Sequence, residues 1–178
     1  KKNTKSEKQE LNFATVQVPG VLPRLVQIPS EEENAKCFIL LEQIIEKNID
    51  KIDRNGDGVI GYVLAIGDIG HNDSIARTRG VRKALGTAVD KNGEADSAPA
   101  GTNTDGKASQ VQDGSIEVGG KTYVIRELAS QEMKNSAGAT WDAATAGNAI
   151  GTWSSSFGDS IDVVVSNNDG MGMSMFNA

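Results

Sequence analysis

The sequence predicts an α/β fold, a parallel sheet flanked by helices, and three observations predict it. Val59 to Ile66 and Ile161 to Val165 are β-branched apolar runs, as strands covered on both faces should be. A stretch with helical spacing through Ile75, Ala76, Val81 and Leu85 follows the first, another from Trp141 to Trp153 precedes the second, and Asp169 can open a helix after it. Each helix is reached from its strand through a short polar loop, so the order strand, loop, helix repeats.

Taken in order, the opening Lys1, Lys2, Lys5 and Lys8 among polar residues reads as a flexible tether at a processed terminus. Leu11 to Ile28 is apolar but interrupted by Pro19, Gly20 and Pro23, which forbid a long helix and predict an extended connector ending in a strand, Leu25 to Ile28. Ser30 ahead of Glu31, Glu32 and Glu33 has the form of a helix cap with carboxylates at the positive helix end. Behind it Ala35, Phe38, Ile39, Leu41, Ile44 and Ile45 predict an amphipathic helix to about Asn48. Asp50 to Gly58 is a turn-rich feed into the first buried strand, Gly67 to Asn72 is a loop, and Asp73 or Ser74 is expected to cap the next helix. Residues 90–120 are Gly, Asp, Ser, Asn and Ala with few large apolar side chains and predict a mobile surface insertion. At its end Ser115 to Val118, Gly119-Gly120 and Lys121 to Leu128 spell a hairpin. Asp169 is placed to open a last helix.

The chain has 178 residues and a formal net charge of -6, with 38% hydrophobic and 24% charged residues. That length suits one domain, burying roughly 68 to 72% of its unfolded surface. The acidic balance, with no basic face to offset it, argues against nucleic acid as a partner. The longest uncharged apolar run, Val59 to Gly67, is less than half of the ~18 to 20 residues that span a bilayer. Cys37 stands alone, which excludes an intrachain disulfide and a zinc site built on paired thiolates.

Two segments carry chemistry. Asp53-Arg54-Asn55-Gly56-Asp57-Gly58-Val59 has oxygen ligands at alternate positions, a Gly at the sixth for the tight turn and a carbonyl at the seventh, which is half of a Ca²⁺ cage. The twelfth position is Leu64, inside a predicted strand, so no EF-hand follows. Either a distant carboxylate completes the sphere or the loop is an Asx-rich turn. The second segment, Gly67 to Arg77, lies where a sheet's carboxyl edge meets a helix, the usual ligand edge of open α/β sheets. His71 is the one histidine; Asp73 and Arg77, four apart, put a carboxylate beside a guanidinium, unless they form only a surface ion pair worth a few tenths of a kcal/mol. Trp141-Asp142 and Asn167-Asn168-Asp169 occupy the corresponding junctions, where an indole can stack on an apolar ring face or plug the core. No glycine-rich phosphate-binding motif follows a strand.

Together these segments resemble the periplasmic glucose/galactose-binding protein family, the Ca²⁺-containing sugar receptors of ABC transporters. The strings are D-x-N-x-D-G-x-I before a strand, G-H-x-D-x-x-x-R after it, a Trp-Asp pair, and V-V-V-S-N-N-D-G-M. The resemblance implies one incomplete lobe of a type I periplasmic binding protein: residues 1–27 as tether and hinge connector, and 28–178 as a partial sugar-binding lobe with the 90–120 insertion. It implies hydrogen bonds from His71, Asp73, Arg77 and Asn168 to the hydroxyls of D-glucose or D-galactose, with Trp141 stacking on the ring. It further implies Ca²⁺ held by Asp53, Asn55, Asp57, the carbonyl of Val59 and Asp162, with Asp162 where the family has Glu and Gly61 where it has a ligating Gln. The expected partners are the monosaccharide, a membrane permease and a missing second lobe, in a periplasmic, lipid-anchored, non-enzymatic receptor; the chain is then a fragment or part of a circularly permuted parent. The weighed alternatives are a sugar hydrolase using His71 with Asp73, and a calcium-binding structural module.

Overall fold

A computed structural model describes residues 13–17, 24–27, 43–91, 94–101 and 108–178. The Ser30 cap and Cys37 lie outside the described residues, while the connector expected over Leu11 to Ile28 holds two strands, Phe13–Gln17 and, at its expected end strand, Arg24–Gln27; residues 43–47 are helical, and α1 (Ile49–Ile52) follows the turn at Asn48.

The Val59 to Ile66 run forms β3 (Val59–Ile66), the central strand. It pairs in parallel with β7 (Lys121–Glu132) and with β8 (Val163–Ser166). The sheet is mixed rather than wholly parallel, which corrects the expectation: β6 (Gly114–Val118) is antiparallel to β7, while β1 (Phe13–Gln17) is antiparallel to β8 and to β2 (Arg24–Gln27). The order is β2-β1-β8-β3-β7-β6. Hairpin geometry sets the β6 and β7 direction, because Gly119 and Gly120, at φ 60° and 80°, supply the left-handed pair of a tight turn. A second, two-stranded ribbon joins β4 (Asp90–Lys91) to β5 (Glu94–Ala95).

Side-chain alternation along β3 divides the core in two. Ile60, Tyr62, Leu64 and Ile66 pack with Ile52, Val81, Leu85, Ile125 and Val165 on one face. Val63 and Ala65 pack with Met133, Ala149, Trp153, Met171 and Met175 on the other. The first face is covered by α1 and α2 (Asn72–Ala84), the second by α3 (Ala143–Phe157) and α4 (Asp169–Asn177).

The buried stripe of α2 differs from expectation. Ile75 and Ala76 are only half-buried, and the face against the sheet carries Ser74, Arg77, Thr78, Val81 and Arg82. The insertion also departs from a loose excursion, since Ala88 bridges Val111, Ala100 bridges Ser109, and Ser109 is buried. Among the described residues no helix is long and apolar enough to cross a membrane.

Candidate functional site

Three helix starts gather at the carboxyl ends of β3, β7 and β8. His71, rather than Asp73 or Ser74, caps α2: its Nδ1 accepts the Asp73 amide at 3.3 Å. That bond requires an unprotonated Nδ1. Asp142 caps α3, its Oδ1 accepting the amide and hydroxyl of Thr145, both at 2.7 Å, while Asn135 donates to its other oxygen. The Thr145 amide, then the Thr145 hydroxyl and Asn135, hold the Asp142 carboxyl below the usual carboxylate range. Asn168 caps α4 through the Met171 amide at 2.8 Å.

Between these starts the side chains are tightly arranged. Trp141 has φ 59°, the one positive φ at a non-glycine position among the described residues. Its ring meets His71 edge to face, centroids 5.8 Å apart, and the Arg77 guanidinium carbon stands 5.7 Å from its centroid. Gly67 makes this placement possible: a Cβ there would stand 2.2 Å from the indole. Arg77 is buried, donates to the Asn167 carbonyl at 2.7 Å and reaches Asp73 at 3.8 Å. Burial pulls its guanidinium below the ordinary value and the Asp73 carboxylate opposes that. The expected set His71, Asp73, Arg77, Trp141 and Asn168 therefore does gather along one rim.

Asn167, not its neighbour Asn168, organises this rim. Its Oδ1 accepts from the Gly67 amide at 3.1 Å, the Ser74 hydroxyl at 2.8 Å and the Thr78 hydroxyl at 3.3 Å. Its buried Nδ2 has no hydrogen-bond partner among the described residues. Asp68 contributes as well, accepting from the Gly70 amide and from the Thr140 hydroxyl, so the first loop is tied to the one that carries Trp141. Ser74 and Thr78 at helical spacing were the available signal for a polar partner on a strand end.

The Asp53 loop sits at the opposite end of β3. Asp53 accepts the Gly58 amide, Asp57 accepts the Val59 amide, and Asn55 and Asp57 bond each other, with Gly56 and Gly58 at φ 72° and 77°. Asp162 is buried and its Oδ2 accepts the Gly61 amide at 2.9 Å. Its Oδ1 and the Oδ1 of Asp53 are buried without a partner among the described residues. Burial, with Asp53 and Asp57 adding to it, pushes the Asp162 carboxyl up to about 6 against the Gly61 amide. A Cβ on Gly61 would stand 2.0 Å from the Ser160 carbonyl, so this position has no room for a ligating side chain. Among the described residues no group of three His, Cys, Asp or Glu side chains stands ready to hold a metal.

Comparison with known proteins points elsewhere than the short motifs do. The polyphosphate kinase middle domain matches residues 1–59. A polyphosphate kinase of Exiguobacterium sibiricum is 49% identical over 41 residues, which is 23% of this chain and 6% of that protein. This is similarity to polyphosphate kinase and not to a periplasmic sugar receptor, and it corrects the resemblance drawn from the loops. The corrected expectations are monosaccharide binding for transport by His71, Asp73, Arg77, Trp141 and Asn168, the permease partner, the sugar hydrolase, the calcium module and the non-enzyme assignment. The physical reason lies in what the motifs are made of. Short Asx, Gly and His strings at strand ends serve helix capping, and His71, Asp142 and Asn168 are each spent on a cap.

Proposed function

We propose that the chain is part of a phosphotransferase related to polyphosphate kinase, acting on polyphosphate and a nucleotide. The family-model match across residues 1–59 carries this reading, and the 49% identity over 41 residues to a polyphosphate kinase supports it. β1 and β2 both fall inside that stretch, and β1 pairs with β8 from Thr15↔Ser166 to Gln17↔Val164. The matched stretch and the rim therefore share one sheet. At the rim the amino ends of α2, α3 and α4 supply positive dipole ends, with Arg77 as the fixed cation. Asp68, Asp73 and Asp169 lie in the same loops and first turns and Asp142 caps the amino end of α3, so a polyphosphate chain there needs an accompanying divalent cation.

The test is phosphoryl transfer between polyphosphate and ADP with Mg²⁺, read as ATP by luciferase and in reverse as polyphosphate growth from ATP. The expected result is turnover that falls at least tenfold in Arg77→Gln. Absence of transfer in both directions, together with no retention of polyphosphate in a filter-binding assay, overturns the proposal.

A bound cation is proposed separately, because the orphaned Asp53 and Asp162 oxygens favour one. Hard carboxylate and carbonyl oxygens suit Ca²⁺, and Asp53, Asn55, Asp57, the Val59 carbonyl and Asp162 are the candidate ligands. Because the described residues hold no ready group of three carboxylates and both Asp57 oxygens already accept hydrogen bonds, Asp57 has to turn toward the ion and water has to complete the sphere. Millimolar Ca²⁺ is expected to raise Tm in the parent and not in Asp162→Asn; an unchanged parent Tm rejects the site.

A further inference from the structure

We infer that residues 96–100 and 108–111 form a strap whose side-chain latch to the sheet centres on one guanidinium, that of Arg82, and that the strap opens as a unit while the sheet stays intact. Arg82 lies on α2 with its side chain 1% exposed. Its Nε and Nη2 grip both oxygens of Glu127 on β7, at 2.8 and 2.7 Å. Its Nη1 then reaches across to the strap, donating to the carbonyls of Asp96 at 3.0 Å and Ala98 at 2.7 Å and to the Ser109 hydroxyl at 3.0 Å. Ser130 on β7 joins the latch, receiving Nη2 at 3.3 Å and the Ala100 amide at 2.7 Å. Tyr62 on β3 donates to Glu127 at 2.7 Å and so fixes the carboxylate that fixes the guanidinium.

Among the described residues, the strap's other ties to the body are the bridge between Val111 and Ala88 and the bond from the Ala100 amide to Ser130. Ala98 and Pro99 are its buried apolar residues, and Ala108, Gln110 and Val111 are exposed or half-buried. Its internal bonds, Ser109 amide to Pro99 carbonyl and Ser109 hydroxyl to Ala98 carbonyl, join one flank to the other and survive if both lift together. Burial works to lower the Arg82 guanidinium, and the Glu127 carboxylate outweighs it. Opening hydrates this ion pair without separating it, which returns part of the desolvation cost of burying two charges. The latch is strong in geometry and cheap to wet, and that is what a local opening unit requires.

Hydrogen exchange read by mass spectrometry on the intact chain tests this. Peptides covering 96–100 and 108–111 are expected to exchange at one common rate, at least 100-fold faster than β3 and β7. Arg82→Lys keeps the charge but not the fork, and is expected to raise strap exchange at least tenfold more with the β3 rate unchanged. Ser109→Ala removes one latch partner on the strap side alone and keeps the test open if Arg82→Lys does not fold; a smaller rise in the same two peptides is expected. Strap amides that exchange only at the rate of β3, or a strap rate indifferent to the folded variants, overturn the inference.

Discussion

Replacing Gly67 by Ala tests the rim through a single methyl group. The added Cβ would lie 2.2, 2.3 and 2.5 Å from Cε3, Cζ3 and Cδ2 of Trp141. Carbon pairs settle at about 3.5 Å or more, so the ring must retreat by about 1.3 Å. It has nowhere easy to go, since the His71 edge and the Arg77 guanidinium flank it and its amide is tied to the Gly67 carbonyl at 3.4 Å. Overpacking of this kind costs about 1 to 3 kcal/mol. Against it, Ala for Gly stiffens the unfolded chain and returns about 0.4 to 1 kcal/mol. Gly67→Ala alone is therefore expected to destabilise the protein, with a changed near-ultraviolet circular dichroism signal. In a Trp141→Gly background the obstacle is gone and only the unfolded-state gain remains, so the same substitution is expected to stabilise. Urea unfolding of the four proteins closes the cycle, with an expected coupling of about 1 to 3 kcal/mol. A Gly67→Ala effect of equal size and sign in both backgrounds refutes the claim that the indole rests on the glycine.

Asn167→Ala leaves the Gly67 amide and the Ser74 and Thr78 hydroxyls without their shared acceptor and is expected to cost about 2 to 5 kcal/mol in urea unfolding, while Asn167→Asp, which keeps the acceptor, costs less. Asp142→Ala removes the α3 cap and is expected to lower Tm by a few degrees at pH 7. Because the folded carboxyl is held below its ordinary 3.8, this contribution is present above that value and lost as pH falls through the lowered one, so the Tm gap to Asp142→Asn should close in acid. Asp162 titrates the other way: with the folded carboxyl at about 6 against an ordinary 3.8, its contribution is full below 3.8 and lost as pH rises through about 6. In chelator, parent stability relative to Asp162→Asn is expected to fall on the order of 2 kcal/mol across that window, and a flat difference rejects the burial argument.

What the sequence made legible was local. Val59 to Ile66 reads as a doubly covered strand because nothing in it is charged, and it is one; Gly119-Gly120 reads as a tight hairpin turn, and both residues take positive φ. The convergence of His71, Asp73, Arg77 and Trp141 followed from strand and helix order alone. The missing parts are long-range polar pairings. Arg82, inside Thr78-Arg79-Gly80-Val81-Arg82-Lys83, looks like a surface cation until Glu127, 45 residues later, is placed beneath it. That pairing also converts nine residues of the 90–120 insertion from loose chain to a held strap. Parallel and antiparallel neighbours could not be told apart at the sheet edges, because β1 is short and its partner β8 lies about 150 residues away. Function was misread because capping strings recur across α/β folds, whereas 49% identity over 41 residues weighs sequence that no local geometry demands.

The polar groups buried by α2 give the rim and the strap a common mechanical element. Arg77 and Arg82 stand five residues apart on one helix, about 7.5 Å along its axis. The first is held by the Asn167 carbonyl at the rim and the second by Glu127 and the strap carbonyls. On the opposite face of the sheet α3 and α4 meet β3 through the apolar Val63, Ala65, Ala149 and Met171, and among the described residues neither helix buries a charged side chain. If polyphosphate binds at the rim as proposed and draws Arg77 toward it, the pull acts on the helix that carries the latch, and the inferred opening of the strap is where it would be read. Saturating polyphosphate is expected to change exchange over 96–100 and 108–111 in the parent and to leave it unchanged in Arg77→Gln. An equal change in both proteins means that the polyanion reaches the strap directly, and that α2 transmits nothing.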